Sequence, residues 1–507
     1  MSSTAFQTLV AQVNDILCTI NLLNWDSRTV MPPGGVAARS HQIATLTSMA
    51  RDLSTGDDMR RAIDGARREL SEVPASDIRH RALNQARAEI QTLSRIPARI
   101  ISDMAMLKTR ANAAWVSARA TNDFSGYAPL LNQMMAMQRE ISTAIGGGSH
   151  PYDPLIGMYE PDMTYTGLQT IYGQLKTALV PLIERAKSAP QPRTDFLKRS
   201  FPIADQRKFG LKMAVKMGYD LTHGRLDDTT HPFEISFSRD DVRITSRFRE
   251  TSIAGGIFAL WHEAGHGMYE QNVALDYSRT IFATDMVNLY AVGGASFGAH
   301  ESQSRLWENR IGRSRRFWEL HFCDLRDHFP AQLADVSETE FWRAINRVQP
   351  GFIRIEADEL TYDMHIILRT EIEAALMAGD MQVSELPGVW AEKMREYLGL
   401  EVPDDTRGVL QDVHWSHGYV GSFPTYTVGN IMSSQFFRKA GKIPEITRGL
   451  QEGDYQPLKN WLVENVYRHG RSSTPKETLL RVTGDTLNAE HYIADLTEKV
   501  EMLICNQ

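Results

Sequence analysis

Cysteine is scarce. Cys18, Cys323 and Cys505 are the three cysteines in 507 residues, odd in number and far apart. They suggest no disulfide framework, and the expected home is a reducing cytoplasm. Long apolar runs are missing too: nothing approaches the roughly 18 consecutive apolar residues of a bilayer-spanning helix, so no membrane partner is expected. The segment from Met1 to Gln7 has neither a positive start nor an apolar core, and reads as neither signal nor transit peptide. No basic block is present to grip nucleic acid. The 55 Lys and Arg are dispersed among 62 Asp and Glu, for a net charge of −7. Internal repeats and low-complexity tracts are absent.

What remains is an ordinary globular composition, 42% apolar and 23% charged, able to form a large core. Helical periodicity predominates, so the expected fold class is mainly α. Helices are expected over about 4–24, 36–54, 76–120 and 128–145, with a turn from Asn24 to Gly35. The first 120 or so residues read as a helical lobe beside or over a catalytic body spanning 121–507. One stretch reads as β. Alternation on both sides of Ser238–Asp241, between His231 and Phe248, predicts a hairpin of two short strands. Such a strand can pair with an extended peptide or simply support helix packing.

Immediately after that hairpin comes His262-Glu263-Ala264-Gly265-His266. Apolar Ile253, Ile257, Leu260 and Trp261 mark the segment as a helix, with Ser252 available as its N-cap. Four residues advance a helix by about one turn, so His262 and His266 share a face and can hold one metal ion together. Glu263 is turned roughly 100° away, suited to a water on that metal rather than to the metal itself. This is the H-E-x-x-H pattern of metal-dependent peptide hydrolases. Glu270 continues the stripe but lies about 12 Å along the axis from His262, too far to share a tetrahedral ion. The third ligand must come from another segment. Glu301 is the best candidate, on a stretch with helical periodicity that follows Gly293-Gly294 and can be capped by Ser296; its neighbour His300 is the rival.

Amide hydrolysis also needs an oxyanion donor and groups that position substrate. His414, His417, Tyr419 and Tyr426 cluster among Gly, Ser and Pro and are expected on a loop. Arg354 and Arg243 are candidates to grip a free C-terminal carboxylate, because a guanidinium can do so bidentately. Arg354 could equally pair with Glu356 or Asp358. Residues alone leave exopeptidase and endopeptidase open.

Several motifs in order carry a resemblance. They are Trp25-Asp26 with Met31-Pro32, Tyr152-Asp153 with Tyr159-Glu160-Pro161, His231-Pro232-Phe233, and Asp241-Val242-Arg243-Ile244-Thr245. Beyond these and His262–His266 come His300-Glu301-Ser302-Gln303-Ser304, the stretch Ile353 to Asp358, and Gly408 to Trp415. On these the chain resembles the carboxypeptidase Taq family of metallocarboxypeptidases nearly end to end. The resemblance implies a zincin-like helical fold with a small β-sheet beside a deep groove, one zinc or cobalt ion, and a homodimer. It implies removal of C-terminal residues from peptides with broad preference. Carried over by position, His262, His266 and Glu301 are the implied metal ligands and Glu263 the general base. Arg354 is implied as a carboxylate-binding residue, with His231, Arg243, His414 and Tyr426 in groove motifs. Two departures stand out: extra sequence around Asp276–Val292, and Ser422 where an aromatic residue is usual.

The leading expectation is therefore a cytoplasmic metallocarboxypeptidase in which Glu263 handles the proton of a metal-activated water. A Tyr or His from 414–426 would steady the oxyanion. The alternatives are an oligopeptidase cutting internal bonds with the same centre, and a peptide-binding helical scaffold with a vestigial site.

Overall fold

In the N-terminal helix, Ser3–Thr29, Phe6, Val10, Val13, Leu17 and Ile20 recur at helical spacing along one stripe, all buried. It runs through the turn expected at Asn24. Nothing between Asn24 and Thr29 obstructs a helix, and the break comes only at Met31-Pro32, where proline cannot supply an amide N–H. A computed structural model describes residues 3–505. Its contacts divide the chain into two units. Met1–Ser94, Arg193–Ile345 and Phe436–Thr486 form the first; Arg95–Pro192, Asn346–Gln435 and Leu487–Gln507 form the second. Residues 95–120 thus belong with the second unit, not with the segment before them. The helix expected over 76–120 is two, Ile78–Arg95 and Ala98–Thr121, because Pro97 disfavours helical geometry in Ile96 before it.

In the first unit the N-terminal helix packs on Val36–Thr55 and Asp57–Glu69, and its apolar stripe meets Leu83, Ala86 and Ile90 of the Ile78–Arg95 helix. The same core takes in Ile281, Phe282, Met286 and Ala291. These come from the extra sequence around Asp276–Val292, which is therefore an internal strut. Two buried asparagines of the N-terminal helix tie it down. Asn14 Nδ2 donates to Ala283 O and Thr284 Oγ1, and Asn21 Nδ2 donates to Ser236 O and Ala291 O. Each links the helix to backbone far away in sequence, and buried carbonyls of this kind need hydrogen-bond partners.

The hairpin forms as expected, from β2 (Glu234–Ser238) and β3 (Asp241–Ser246), antiparallel with Ile235 opposite Arg243. A further strand, β1 (Gly224–Asp228), adds parallel to β3, giving the order β1-β3-β2. Its sequence, with two aspartates, carries no β signal, and pairing with β3 overrides propensity.

Buried Val242 and Ile244 of β3 face the histidine helix, Ile253–Gln271, which is apolar nearly all round. Ser252 stands at its N-cap position without a side-chain capping bond. Trp261 is fully buried among Phe258, Phe317 and Trp318 and donates its indole N–H to Gly210 O at 3.0 Å. On its far side this helix crosses the glutamate helix, Phe297–Arg305, which Ser296 caps by accepting from Ala299 N. The crossing is close at Gly265. A Cβ there would lie 2.6 Å from Gln303 O and 2.7 Å from Ser304 Cα, so no larger residue fits without moving the backbone.

The second unit centres on the helix Tyr362–Ala378, where Met364, Ile366, Ile367, Leu368 and Ile372 are buried together with Asp363, His365, Arg369 and Glu373. The charged members are bonded inside the unit. Asp363 accepts from Thr427 Oγ1, Asn430 Nδ2 and Tyr492 OH. Glu373 accepts from Tyr152 OH, Trp415 Nε1 and Gly421 N, which pins the chain between Trp415 and Gly421 to this helix.

Gly265→Ala is expected to destabilise the protein by about 1–3 kcal/mol, the usual cost of forcing a methyl into a packed contact. Gly173→Ala in the helix Tyr165–Ser188, where a Cβ meets nothing within 4 Å, is expected to be neutral or stabilising. Denaturant titration of both variants checks the pair. Equal stability for both would mean that the crossing has slack.

Candidate metal centre

His262 and His266 lie one turn apart on the histidine helix, with ring centroids 5.0 Å apart. The close crossing at Gly265 brings the glutamate helix against them. Glu301 Oε2 stands 3.5 Å from His262 Nε2 and 3.3 Å from His266 Nε2, and the three donor atoms lie within 4.8 Å of one another. Ligands held tetrahedrally at about 2.0–2.1 Å are separated by roughly 3.3–3.4 Å, so these spacings suit a zinc-sized ion. Two imidazoles and a carboxylate also suit that chemistry, in which a further position stays open for water or substrate.

Each donor is braced from behind. Glu301 Oε1 accepts from Arg305 Nε at 2.7 Å, and Oε2 accepts from Ser304 Oγ at 2.9 Å. His262 Nδ1 faces Glu308 Oε2 at 3.0 Å, and the other oxygen of Glu308 accepts from Arg313. Glu308 reaches this position because Leu306–Gly312 continues the glutamate helix as a π-helical turn. His266 Nδ1 meets His300 Nδ1, and His300 Nε2 lies 2.9 Å from Glu270 Oε1. The rival ligand His300 and the rejected Glu270 thus both stand behind His266. Glu301 and His300 are consecutive, about 100° apart on their helix, so they approach different edges of the same ring.

The electrostatics favour a cation among the donors. Burial works to lower the His262 imidazole, yet Glu301, Glu308 and Glu263 outweigh it and raise it to about 10. Burial, reinforced by His300, pushes His266 down to about 3. Glu301 is held well below the usual carboxylate range: burial opposes this, and Arg305 and His262 outweigh it. Glu263 is buried beside the donors. Burial pushes its carboxyl up to about 7, against the pull of His262 and Arg28. Arg28 belongs to the N-terminal helix and lies over the Phe233 ring, 3.5 Å from its centre.

Arg243 and His231 are elsewhere in the first unit. Arg243 makes two hydrogen bonds to Asp241 and lies over the Trp25 and Phe237 rings. His231 is exposed, in the segment before β2, and its carbonyl accepts from Arg28.

Arg354, His414 and Tyr426 come together in the second unit, around an aspartate that sequence reading left out. Arg354 Nε donates to Asp412 Oδ1 at 3.0 Å and Arg369 Nε to Asp412 Oδ2 at 2.6 Å. Arg354 pairs with neither Glu356 nor Asp358; Asp358 instead accepts from Leu360 N and Thr361 N. Its guanidinium also donates to Tyr362 OH and lies 5.2 Å from the Tyr426 ring centre. His414 Nε2 is 3.4 Å from Tyr426 OH, and burial with Arg354 nearby pushes its imidazole down to about 3. Tyr426 is in the first turn of the helix Pro424–Ala440 rather than on the expected loop, since Pro424 is a favourable helix start. Tyr419 does sit on a loop, nearly half exposed, while His417 turns its Nδ1 to Val413 O.

Two guanidiniums therefore share one buried carboxylate. Burial opposes ionisation of Asp412, but Arg369 and Arg354 hold it far below its ordinary value.

The sequence profile of the Carboxypeptidase Taq (M32) metallopeptidases matches residues 5–500. The chain is 35% identical over 500 residues to Carboxypeptidase 1 of Bacillus subtilis, covering 98% of each, and 37% identical over 498 residues to Thermostable carboxypeptidase 1 of Thermus thermophilus, covering 95% of each. The crystal structure of an M32 carboxypeptidase from Deinococcus radiodurans superposes with a TM-score of 0.94 at 37% identity, over 99% of both chains.

Asp412→Asn leaves Arg354 and Arg369 buried without their counter-charge and is expected to cost about 3–5 kcal/mol at pH 7. Because the folded-state value of Asp412 is depressed, its stabilisation is complete above about pH 4 and lost as the pH falls below that. Denaturation of wild type and variant across pH 3–7 should show a constant gap that closes only at the acid end. A gap that varies between pH 5 and 7 would point to another group.

Proposed function

Because this chain belongs to the carboxypeptidase Taq (M32) family of metallopeptidases, and is a metallocarboxypeptidase by that membership, we propose that His262, His266 and Glu301 hold its divalent ion. The observation that carries this reading is the convergence of Glu301 on both imidazoles at 3.3 and 3.5 Å. Zinc or cobalt fits, since both accept nitrogen and oxygen donors. A divalent ion in this place supplies Lewis acidity to a water and to the scissile carbonyl. Glu263 is the general base: it takes a proton from the attacking water and returns it to the leaving amine. Arg354 binds the free C-terminal carboxylate of the peptide. Its support is the sharing of Asp412 between two guanidiniums, which leaves the cluster favourable to a further anion. Tyr426 and His414 are the candidates to donate to the oxyanion, with His231 and Arg243 on the substrate side.

Substrates are peptides with a free C-terminus, taken with broad preference for the last residue. The protein is proposed to act in the cytoplasm as a homodimer. Cys18 and Cys323 are free thiols, in keeping with a reducing compartment, and among the described residues no helix is long and apolar enough to cross a membrane.

Mass spectrometry of a metal-loaded digest tests the activity, using one peptide as the free acid and as its C-terminal amide. The free acid is expected to shorten residue by residue from its C-terminus and the amide to resist. Internal fragments from both would instead identify an oligopeptidase, and no cleavage with the ion bound would leave a peptide-binding scaffold. Glu263→Gln is expected to lower kcat by at least about 10²-fold while retaining the ion. Full activity in that variant would remove Glu263 from the mechanism.

A further inference from the structure

The two imidazoles of the centre are backed differently. His262 has a carboxylate directly behind it, in Glu308. His266 has a second imidazole, and only then a carboxylate. A neutral imidazole that offers Nε2 to a metal carries its proton on Nδ1 and needs an acceptor there. That acceptor is His300 Nδ1, at 2.5 Å. The two rings are close to coplanar, 24° apart with centroids separated by 4.5 Å, so the nitrogens meet edge to edge. His300 Nδ1 can accept only if its own proton is on Nε2, and Nε2 faces Glu270 Oε1 at 2.9 Å. Glu270 also accepts from Gly293 N, Gly294 N and Ser236 Oγ. Every donor along this row points the same way, from His266 to Glu270.

The surroundings hold the row in place. The Tyr269 ring lies nearly parallel to His300, 19° apart with centroids separated by 5.6 Å. A Cβ on Gly294 would come within 2.4 Å of His300 Cδ2, and one on Gly293 within 3.0 Å of Glu270 Oε2. The glycine pair that punctuates the sequence is what lets two backbone N–H groups close on the carboxylate.

We infer that His300 and Glu270 are positioning residues, a two-step relay that fixes the tautomer and ring orientation of His266 and so sets how tightly the centre holds its ion. The inference rests on the ligand set proposed above. It also gives Glu270 a role that its place on the histidine stripe does not suggest.

Competition for Zn²⁺ against a chromophoric chelator, repeated with Co²⁺ and its visible spectrum, tests the relay in the full-length protein. Wild type is expected to bind one equivalent. His300→Phe, which keeps a ring and loses both nitrogens, is expected to bind about 10–100-fold more weakly. His300→Gln, which can still accept and donate, should recover part of that loss, whereas a merely space-filling role predicts the reverse order. Glu270→Gln keeps the shape of the carboxylate and should weaken binding by a smaller factor, with the metal-free unfolding midpoint unchanged. If His300→Phe does not fold, Glu270→Gln and His300→Gln decide, and wild-type affinity in both overturns the relay. Absence of stoichiometric metal in wild type would overturn the ligand set instead.

Discussion

The centre depends on one close approach between two helices. The histidine helix can present two imidazoles by its own geometry, but it cannot supply their third partner, because each further turn moves a side chain about 5.4 Å along the axis. Glu301 must arrive from outside. It does so because Gly265, between the two histidines in sequence, lets Gln303 and Ser304 approach where any Cβ would collide. The glycine inside the motif is thus a packing requirement, and the spacing of the three donor atoms follows from it. What surrounds that crossing acts to keep it rigid: Trp261 wedged among aromatic rings on one side, and the buried face of β3 on the other.

Features that depend on local periodicity were legible in the sequence. His262, Glu263 and His266, the helix that carries them, the Ser296 cap and the hairpin after His231 all follow from spacing within a few residues. Glu301 stood out by its place after a glycine break, with His300 left open beside it, and only the family resemblance implied it as the third ligand. Features that depend on tertiary geometry were not legible. Glu308 lies seven residues beyond Glu301 and reaches His262 through a π-helical turn that no simple period describes. Asp412 was within a quoted motif, yet its role between Arg354 and Arg369 needs residues some 40–60 positions away in sequence to be brought together. The N-terminal helix outran its expected end because Asn24, Trp25 and Asp26 resemble a turn in composition without containing a breaker. The extra sequence around Asp276–Val292 stood out only as a departure from the family pattern, yet Ile281, Phe282 and Met286 are core residues.

The centre gathers five buried carboxyl groups, accommodated by several physical means. Against the effect of burial, Glu308 is lowered to about 2 by its hydrogen bond with His262 and then by Arg313 and Arg305, and Glu301 is held well below the usual range by Arg305 and His262. Glu270 is also held below it, by His300 and two backbone N–H groups, again against burial. Glu234 goes the other way: burial first, then the charges of Glu270 and Glu263, raise it well above the ordinary value. Glu263 falls between these cases, since His262 and Arg28 act on it across space and only partly offset burial. A buried carboxylate without compensation would cost several kcal/mol, which the arginines, imidazoles and backbone amides around these groups offset. The two that back the imidazoles, Glu308 and Glu270, are fixed by Arg313 and by backbone amides respectively. The glutamate of the motif differs: His262 and Arg28 offset its burial only in part, which leaves its carboxyl raised to about 7.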